Sequence, residues 1–256
     1  MASSLVLTAL DGIPTIGPGD DLASIILSAV SAQSIKLKAD DIFVLAQKIV
    51  SKAEGRFVRL SDVTPSDKAN DLASQTHKDP RIVELVLREA VRVVRATPNA
   101  LIVENRHGLI LANAGIDASN VEADGSGEEN VLLLPENPDA SASALRASLL
   151  SYTGLELGVL INDSLGRPWR LGTVGAAIGL AGLPGLIDMR GQKDRNGRKL
   201  MVTELGVADE LAAAASLLMG QAGEGRPVIH VRGFPHPLRE GHARELLRAR
   251  DMDLFQ

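Results

Sequence analysis

The chain has 256 residues, of which 45% are hydrophobic and 23% are charged, and its formal net charge is −5. These values are ordinary for a globular protein that buries one large core or two interleaved smaller ones. The negative charge and an aromatic content of 2% argue against a nucleic-acid partner, because phosphate binding needs cations and base stacking needs aromatic rings. The absence of cysteine excludes disulfides and thiolate ligands and fits a cytoplasmic protein.

Targeting and membrane signals are also missing from the sequence. The first residues lack the basic region of a signal peptide, and no segment approaches the roughly 20 apolar residues that a membrane-spanning helix needs. We therefore expect a cytoplasmic protein without a membrane partner, which binds small molecules.

The first half of the chain predicts three helices and a strand. Asp20 or Asp21 would cap a helix whose apolar residues recur at helical spacing, and residues 42–46 form a buried strand. A capping residue followed by proline begins a helix at Thr64-Pro65 and another at Asp79-Pro80.

The rest of the chain mixes strands and helices. We predict a hairpin of residues 101–104 and 109–112, a helix from Asn137-Pro138, a strand at 155–161, a hairpin of 186–190 and 199–203 around Asn196-Gly197, a helix at 207–219 and a strand at 227–231. Strands and helices do not alternate strictly, so the predicted class is α+β, with mixed sheets and helices in one unit or two interleaved subdomains spanning 1–256.

The most informative segment joins an apolar strand to Asp163, Ser164, Arg167 and Arg170. We expect the acid and the hydroxyl to lie where this strand meets a loop, a usual position for ligand-binding groups. Carboxylate and hydroxyl oxygens suit Mg²⁺ or Mn²⁺, whereas guanidinium groups suit phosphate or carboxylate. The glycines that follow would let backbone approach a ligand. The alternative is that Asp163 caps a turn, the arginines form salt bridges and the glycines serve packing.

A second acidic segment places Asp117 and Asn120 after the first predicted hairpin. Two carboxylates that each follow an apolar strand, Asp117 and Asp163, could converge on one divalent cation. The alternative interpretation of Asp117 and Asn120 is an Asx-turn. Glu204 and Asp209 are further acids that the sequence alone does not exclude as ligands.

Two further segments suit a phosphate ligand. Gln47, Lys48 and Lys52 follow the strand at 42–46, where lysine ammonium groups are good phosphate anchors, although such lysines are also commonly solvated. The glycine-rich segment 219–226 follows a helix, and its glycines also suit a helix C-cap. Common nucleotide and zinc motifs are absent. The histidines lack the spacing of a triad, and we interpret them as surface residues: His77, His107, His230, His236 and His242.

Several of these segments, taken in order, carry a family resemblance. QKIVSKAEGR, AGIDASNV, INDSLGRPWR with AAIGLAG, and VTELGVADELAAAASLLMGQ together resemble the coenzyme F420:L-glutamate ligases, also called F420-0 gamma-glutamyl ligases. The resemblance runs from about Leu5 to Pro237. Some relatives carry an added nitroreductase-like domain, which we do not expect in this chain.

The resemblance implies a homodimeric enzyme that uses GTP to add L-glutamate to the F420 precursor, F420-0, through γ-linked amide bonds and releases GDP and phosphate. It also implies Mg²⁺ or Mn²⁺ at two sites and a dependence on K⁺. Asp117 and Asp163 would hold the first metal, and Ser164 and Gln221 the second. The implied guanine-nucleotide contacts are Ile13, Pro14, Thr15, Ile16, Gln47, Lys48, Lys52, Asn120, Met219, Gly220, Gln221, Ala222, Gly223, Glu224, Gly225 and Arg226.

Amide ligation gives the remaining residues a chemical role. A carboxylate is activated as an acyl phosphate, which the amino group of glutamate then attacks, and the departing phosphate needs cationic support. Arg167 and Arg170 are the residues that we expect to supply it, or to bind the acidic groups of the precursor. Two alternatives stay open: a sensor that binds nucleotide or metal without turnover, and a metal-dependent phosphohydrolase that ignores glutamate.

Overall fold

The computed structural model describes residues 4–117 and 129–253. Its strands are β1 (Val6–Ala9), β2 (Ile42–Ala46), β3 (Phe57–Arg59), β4 (Ala90–Thr97), β5 (Ala100–Asn105), β6 (Ile110–Ala112), β7 (Asn130–Leu132), β8 (Gly158–Arg167), β9 (Arg170–Ala181), β10 (Ile187–Asp188), β11 (Glu204–Leu205) and β12 (Val228–Arg232). Its α-helices are α1 (Leu22–Ala32), α2 (Gln47–Ala53), α3 (Asp67–Thr76), α4 (Pro80–Glu89), α5 (Pro138–Thr153) and α6 (Val207–Met219).

A mixed sheet of five strands, in the order β1-β12-β2-β8-β9, is the largest sheet of the described chain. β2 and β8 run parallel, and the other neighbours are antiparallel. Side chains alternate between its faces, so Phe43 and Leu45 pack with α1 and α5, while Ile42 and Val44 pack against α6. Helices therefore cover both faces of the sheet.

Three smaller sheets of the described chain lie outside the large one. β4, β5 and β6 form an antiparallel sheet whose Leu101 and Val103 pack with Ala69 of α3 and Val83 of α4. β3 pairs with β7, and β10 pairs with β11. These mixed and antiparallel sheets with packed helices confirm the predicted α+β class. No helix in the described part of the chain combines the length and the apolar character needed to cross a membrane.

Helix caps were predicted well. Asp21, Asp79 and Asn137 cap α1, α4 and α5, and each side chain accepts a hydrogen bond from a backbone N–H of the first turn. The predicted start of α3 was wrong, because Ser66 and not Thr64 is its N-cap. The Ser66 hydroxyl accepts from the Ala69 N–H and donates to Glu84 of α4, which ties the two helices together.

The hairpin of β8 and β9 corrects the prediction for Asp163 and Ser164. Both residues lie inside a paired strand and not on a loop, opposite Ala176 and Gly175, and the turn comes only at 168–169. β9 is rich in glycine and alanine and has little intrinsic preference for a strand. It forms a strand because it pairs with β8 and packs between α5 and α6.

The glycines of β9 let helices approach the sheet. A Cβ on Gly179 would lie 2.4 Å from the backbone carbon of Pro138 in α5, and one on Gly175 would lie 2.5 Å from the Ala212 carbonyl oxygen in α6. The packing interpretation of these two glycines is therefore confirmed.

The other elements differ less from their predictions. The helix at 207–219 and the hairpin of β5 and β6 are confirmed, whereas β1, β3, β4, β7 and α2 were missed. Around Gly197 the chain turns as predicted, but continuous pairing is confined to β10 and β11.

One histidine prediction was wrong. His230 is buried at 3% exposure on β12, with its Nε2 2.9 Å from the buried Asp41 carboxylate. Arg232 donates two hydrogen bonds to the same carboxylate. Burial pushes the pKa of Asp41 upward, but Arg232 and His230 outweigh it and hold the pKa below its usual value.

Candidate active site

A cavity of about 420 Å³ opens where β2 ends beside the middle of β8. The parallel pairing sets Ala46, the last residue of β2, opposite Asn162, so the start of α2 lies beside Asp163. Its lining residues are Ala46, Gln47, Lys48, Ile49, Asp117, Asn162, Asp163, Ser164, Met219, Gly220, Gln221, Ala222, Gly225, Arg226 and Pro227. The structure thus brings together the four predicted metal ligands and part of the predicted nucleotide contacts.

Asp117 reaches this cavity from the segment that follows β6. Its backbone N–H donates to the Leu132 carbonyl at 2.9 Å, and its own carbonyl accepts from the Leu132 N–H at 2.8 Å. These bonds tie Asp117 to the end of β7. The Asp117 carboxylate contacts the Lys48 ammonium, with 2.7 Å between Oδ2 and Nζ. The Asx-turn interpretation depends on Asn120, which lies outside the described residues.

Asp163 is a half-buried carboxylate with little to compensate its charge. Burial raises its pKa to about 6, with a further increase from the negative charge of Asp117. The N–H of Ser164 donates to its Oδ1 at 2.8 Å and, together with Lys48, opposes that increase. Two acids near each other in a partly buried wall favour a bound cation.

The lysines of α2 face the same region. Burial lowers the pKa of Lys52 and Lys48 lowers it further, whereas Asp117 raises it. Gln47 is buried, and its Oε1 accepts a hydrogen bond from Ser51 at 2.9 Å, so its side chain is held against α2. The predicted junction of strand and turn is in fact a helix that presents Lys48 to the acids.

The loop from Gly220 to Arg226 closes another side of the cavity. Gln221 is exposed, and its Nε2 donates to the Ser216 hydroxyl at 3.2 Å. Glu224 folds back on its own loop, where its carboxylate accepts from the Ala222 N–H at 2.8 Å. Hydrogen bonds from the backbone N–H groups of Ala222 and Glu224 lower the pKa of Glu224. Gly223 and Glu224 are not part of the lining.

Asn162 was not predicted as a site residue. It is buried at 4% exposure, its Nδ2 lies 3.4 Å from the Met219 sulfur, and its Oδ1 has no hydrogen-bond partner within the described chain. The signal in the sequence was an amide at the end of an apolar strand, directly before Asp163.

Other predicted residues lie around the cavity and not in its lining. Ile16 is buried in the hydrophobic core with α1. Arg226 pairs with Asp11 at 3.5 Å and so brings the segment with Ile13, Pro14 and Thr15 near the glycine-rich loop. Lys52 lies one turn beyond Lys48 on α2.

Arg167 and Arg170 stand apart from the acids. They face each other across the turn of the β8–β9 hairpin, and neither lines the cavity. Arg167 lies four residues beyond Asp163, or about 13 Å along an extended strand. Within one chain, the structure therefore does not bring these arginines to the carboxylates.

The additional acids have structural partners. Asp209 accepts from the Ala177 N–H at 2.9 Å and holds α6 against β9, and burial raises its pKa. The Glu204 carboxylate lies 3.2 Å from the Arg190 guanidinium. Neither Asp209 nor Glu204 lines this cavity.

The donor set suits a hard cation, because carboxylate, hydroxyl and amide oxygens from Asp117, Asp163, Ser164 and Gln221 share one cavity. The buried Oδ1 of Asn162 adds an oxygen without a partner in the same wall. Across residues 4–117 and 129–253, no group of three or more His, Cys, Asp or Glu side chains is arranged to hold a metal. A cation here would therefore need oxygens beyond the two carboxylates.

Fold and site together define an α+β protein with a cavity suited to a divalent cation and an anionic ligand. A protein-family model described as F420-0:Gamma-glutamyl ligase matches residues 12–233. The chain belongs to this family.

Curated relatives agree along nearly the whole chain. A coenzyme F420:L-glutamate ligase of Methanothermobacter thermautotrophicus is 46% identical over 98% of both chains. The protein of the same name from Methanopyrus kandleri is 44% identical, over 94% of this chain and 93% of its own. The one from Archaeoglobus fulgidus is 42% identical, over 96% and 94%.

Proposed function

We propose that this chain adds L-glutamate to F420-0 through γ-linked amide bonds, uses GTP to do so, and releases GDP and phosphate. The observation that carries the proposal is the single cavity that brings Asp117 and Asp163 together with Lys48, Ser164 and Gln221. The names of the curated relatives support glutamate ligation as the activity.

The reaction proceeds in two transfers. A carboxylate oxygen of the precursor attacks the γ-phosphorus of GTP, the bond to the β,γ-bridging oxygen breaks, and an acyl phosphate and GDP result. The amino nitrogen of glutamate then attacks the acyl carbon, loses a proton and expels phosphate. Mg²⁺ or Mn²⁺, when bound, neutralises phosphate oxygens and aligns the transfer, and K⁺ assists.

The chain's own residues bind and orient the reactants. Asp117 and Asp163 would hold the first divalent cation, and Ser164 and Gln221 the second. Lys48 and Lys52 would bind phosphate oxygens as point charges. Gln47, Asn120 and the backbone of 13–16 and 219–226 would contact the nucleotide.

We also propose a cytoplasmic homodimer, in which the β8–β9 hairpin meets a second copy. Trp169 is 85% exposed and Leu171 is 98% exposed at the tip of this hairpin, and contiguous exposed apolar surface commonly marks an interface. Contact with the cavity of a second copy would give Arg167 and Arg170 their role beside the departing phosphate or the acidic groups of the precursor.

The test is mass spectrometry of F420-0 incubated with the protein, Mg²⁺ or Mn²⁺, K⁺, GTP and L-glutamate, with phosphate release followed in parallel. We expect phosphate release to rise with the appearance of glutamyl products and to stay low without precursor. Asp117→Asn and Asp163→Asn should each abolish product, whereas Asp71→Asn on the exposed face of α3 should not. Phosphate release that ignores precursor would indicate a phosphohydrolase, and nucleotide binding without any release would indicate a sensor.

A further inference from the structure

Lys48 and the proposed first divalent cation both use the carboxylate of Asp117. The Lys48 ammonium lies 2.7 Å from Oδ2 of Asp117, and both side chains are largely shielded, with 30% and 26% of their surfaces exposed. An ion pair this short at a partly buried position is a directed contact between two charges. Asp117 is also the carboxylate to which the proposed function assigns the first divalent cation.

A lysine ammonium and a divalent cation cannot both hold this oxygen without strong repulsion. Mg²⁺ binds carboxylate oxygens at about 2.0–2.1 Å, so an ion on Oδ2 would lie no more than about 4.8 Å from Nζ in the observed contact. Like charges at that separation repel, most of all where water is partly excluded. A cation on Oδ2 therefore requires the ammonium to move away, and a cation on Oδ1 still repels it.

The second acid of the cavity, Asp163, accepts its hydrogen bond from a different group. Asp163 feels the charge of Lys48, but its hydrogen-bond partner is the backbone N–H of Ser164. Lys48 lines the cavity together with Gly225 and Arg226, which are also proposed nucleotide contacts. An ammonium displaced within this cavity would therefore stay near the proposed nucleotide site.

We infer that Lys48 is an internal competitor of the divalent cation for Asp117, which the cation displaces toward the phosphate groups of the nucleotide. This inference rests on the proposed function, because it takes its metal and nucleotide from there. One side chain then couples two ligands. Metal binding frees the lysine for phosphate, and by linkage phosphate binding favours the metal.

The competition predicts that loss of the lysine charge strengthens metal binding and weakens nucleotide binding. Binding of Mn²⁺ alone is measured from the decrease of the free-ion signal in electron paramagnetic resonance, without nucleotide. Lys48→Met removes the charge at similar length, and we expect an increase in Mn²⁺ affinity of about fivefold, the scale of one partly exposed ion pair. GDP affinity, measured by calorimetry at saturating Mn²⁺, should fall by about tenfold with the loss of one charged phosphate contact.

Two variants separate displacement from other effects. Lys48→Arg keeps a competing cation, so its Mn²⁺ affinity should stay near that of the parent. Lys68→Met on the exposed face of α3 changes the net charge equally and should leave Mn²⁺ affinity unchanged.

The outcomes also distinguish the inference from the function that it builds on. If Lys48→Met lowers both affinities, the lysine has a structural role and the inference is wrong. If its Mn²⁺ affinity is unchanged, the competition is wrong. Neither outcome contradicts the proposed ligase function. An equal increase in Lys68→Met would reduce the effect to net charge and overturn the inference. Failure of both parent and Lys48→Met to bind Mn²⁺ would overturn the inference and the proposed metal site together.

Discussion

Asp163 combines a proposed ligand role with an unfavourable position. Its pKa of about 6 means that the folded protein binds this proton more tightly than the unfolded chain, in which the pKa of an aspartate has its ordinary value of 3.8. The unfavourable contribution of the ionised carboxylate to stability therefore appears as pH rises from about 4 to 6 and is complete above that range. Binding sites commonly retain charges that the fold itself does not favour.

Asp163→Asn should therefore stabilise the metal-free protein while it removes activity. The amide resembles the protonated acid, so we expect a gain of about 1–3 kcal/mol in the free energy of unfolding at pH 8, and little gain near pH 4. Urea denaturation in the presence of a chelator, from pH 4 to 8, measures the difference. Asp71→Asn provides the control for an exposed acid. A difference that does not grow with pH would contradict the burial of an ionised Asp163.

At the scale of single residues, the sequence indicated which side chains suit a ligand, but it did not indicate which residues surround them. Asp117, Asp163, Ser164 and Lys48 were identified because their side chains suit a cation and a phosphate, and they share one cavity. The burial of His230 beside Asp41 was not foreseen, because their pairing joins β12 to the residue before β2, which is distant in sequence. Asn162 was missed for the same reason, since its neighbour Met219 belongs to α6.

At the scale of the elements, β9 packs closely against two helices. It lies at the edge of the large sheet between α5 and α6, and both helices approach its backbone at glycines. Side-chain volume at those positions would push a helix off the sheet. The spacing between sheet and helices that positions the β8 end of the cavity therefore depends on residues without side chains.

Gly179→Ala should destabilise the protein, because its Cβ would lie 2.4–2.6 Å from three atoms of Pro138. We expect a loss of about 2–4 kcal/mol, measured by urea denaturation, from overpacking against the first turn of α5. Gly166→Ala is the matched control, since a Cβ there meets nothing within 4 Å and its φ is not positive. Equal stability of the two variants would show that α5 adjusts freely.

Elements with strong local signals could be predicted, and those made by long-range pairing could not. α1, α4 and α5 each begin at a capping side chain that is legible in the sequence. The extent of β8 and β9 could not be predicted from the sequence, because residues 163–167 are polar and contain a glycine, as is typical of a loop. It becomes a strand through its partner across the hairpin.

For the whole molecule, the hairpin tip predicts an association of two chains. Sedimentation equilibrium at micromolar concentration should give twice the chain mass of 27.0 kDa. The double variant Trp169→Ser with Leu171→Ser should shift the equilibrium toward the single chain, because it removes the exposed apolar side chains. Leu217→Ser on α6, at a side chain 86% exposed, is the control for apolar loss elsewhere. A parent of single-chain mass would contradict the dimer, and an unaffected double variant would place the interface elsewhere.

The separation of Arg167 and Arg170 from the acids leads to a prediction that only a dimer can satisfy. If the hairpin of one chain serves the cavity of the other, a chain with Asp163→Asn still offers its arginines. A chain with Arg167→Ala and Arg170→Ala still offers its carboxylates. Each variant alone should be nearly inactive in glutamate ligation.

Mixed and allowed to exchange subunits, the two variants should regain activity. A random mixture contains one half mixed dimers, each with one complete site of two, so about a quarter of the parental rate should return. Mass spectrometry of the glutamyl products measures the rate, and a mixture of Asp163→Asn with Asp117→Asn is the control, since both defects then lie in the cavity acids and no complementation follows. Absence of recovery after verified exchange would show that these arginines do not act across the interface. Full activity of the double arginine variant by itself would remove them from the reaction.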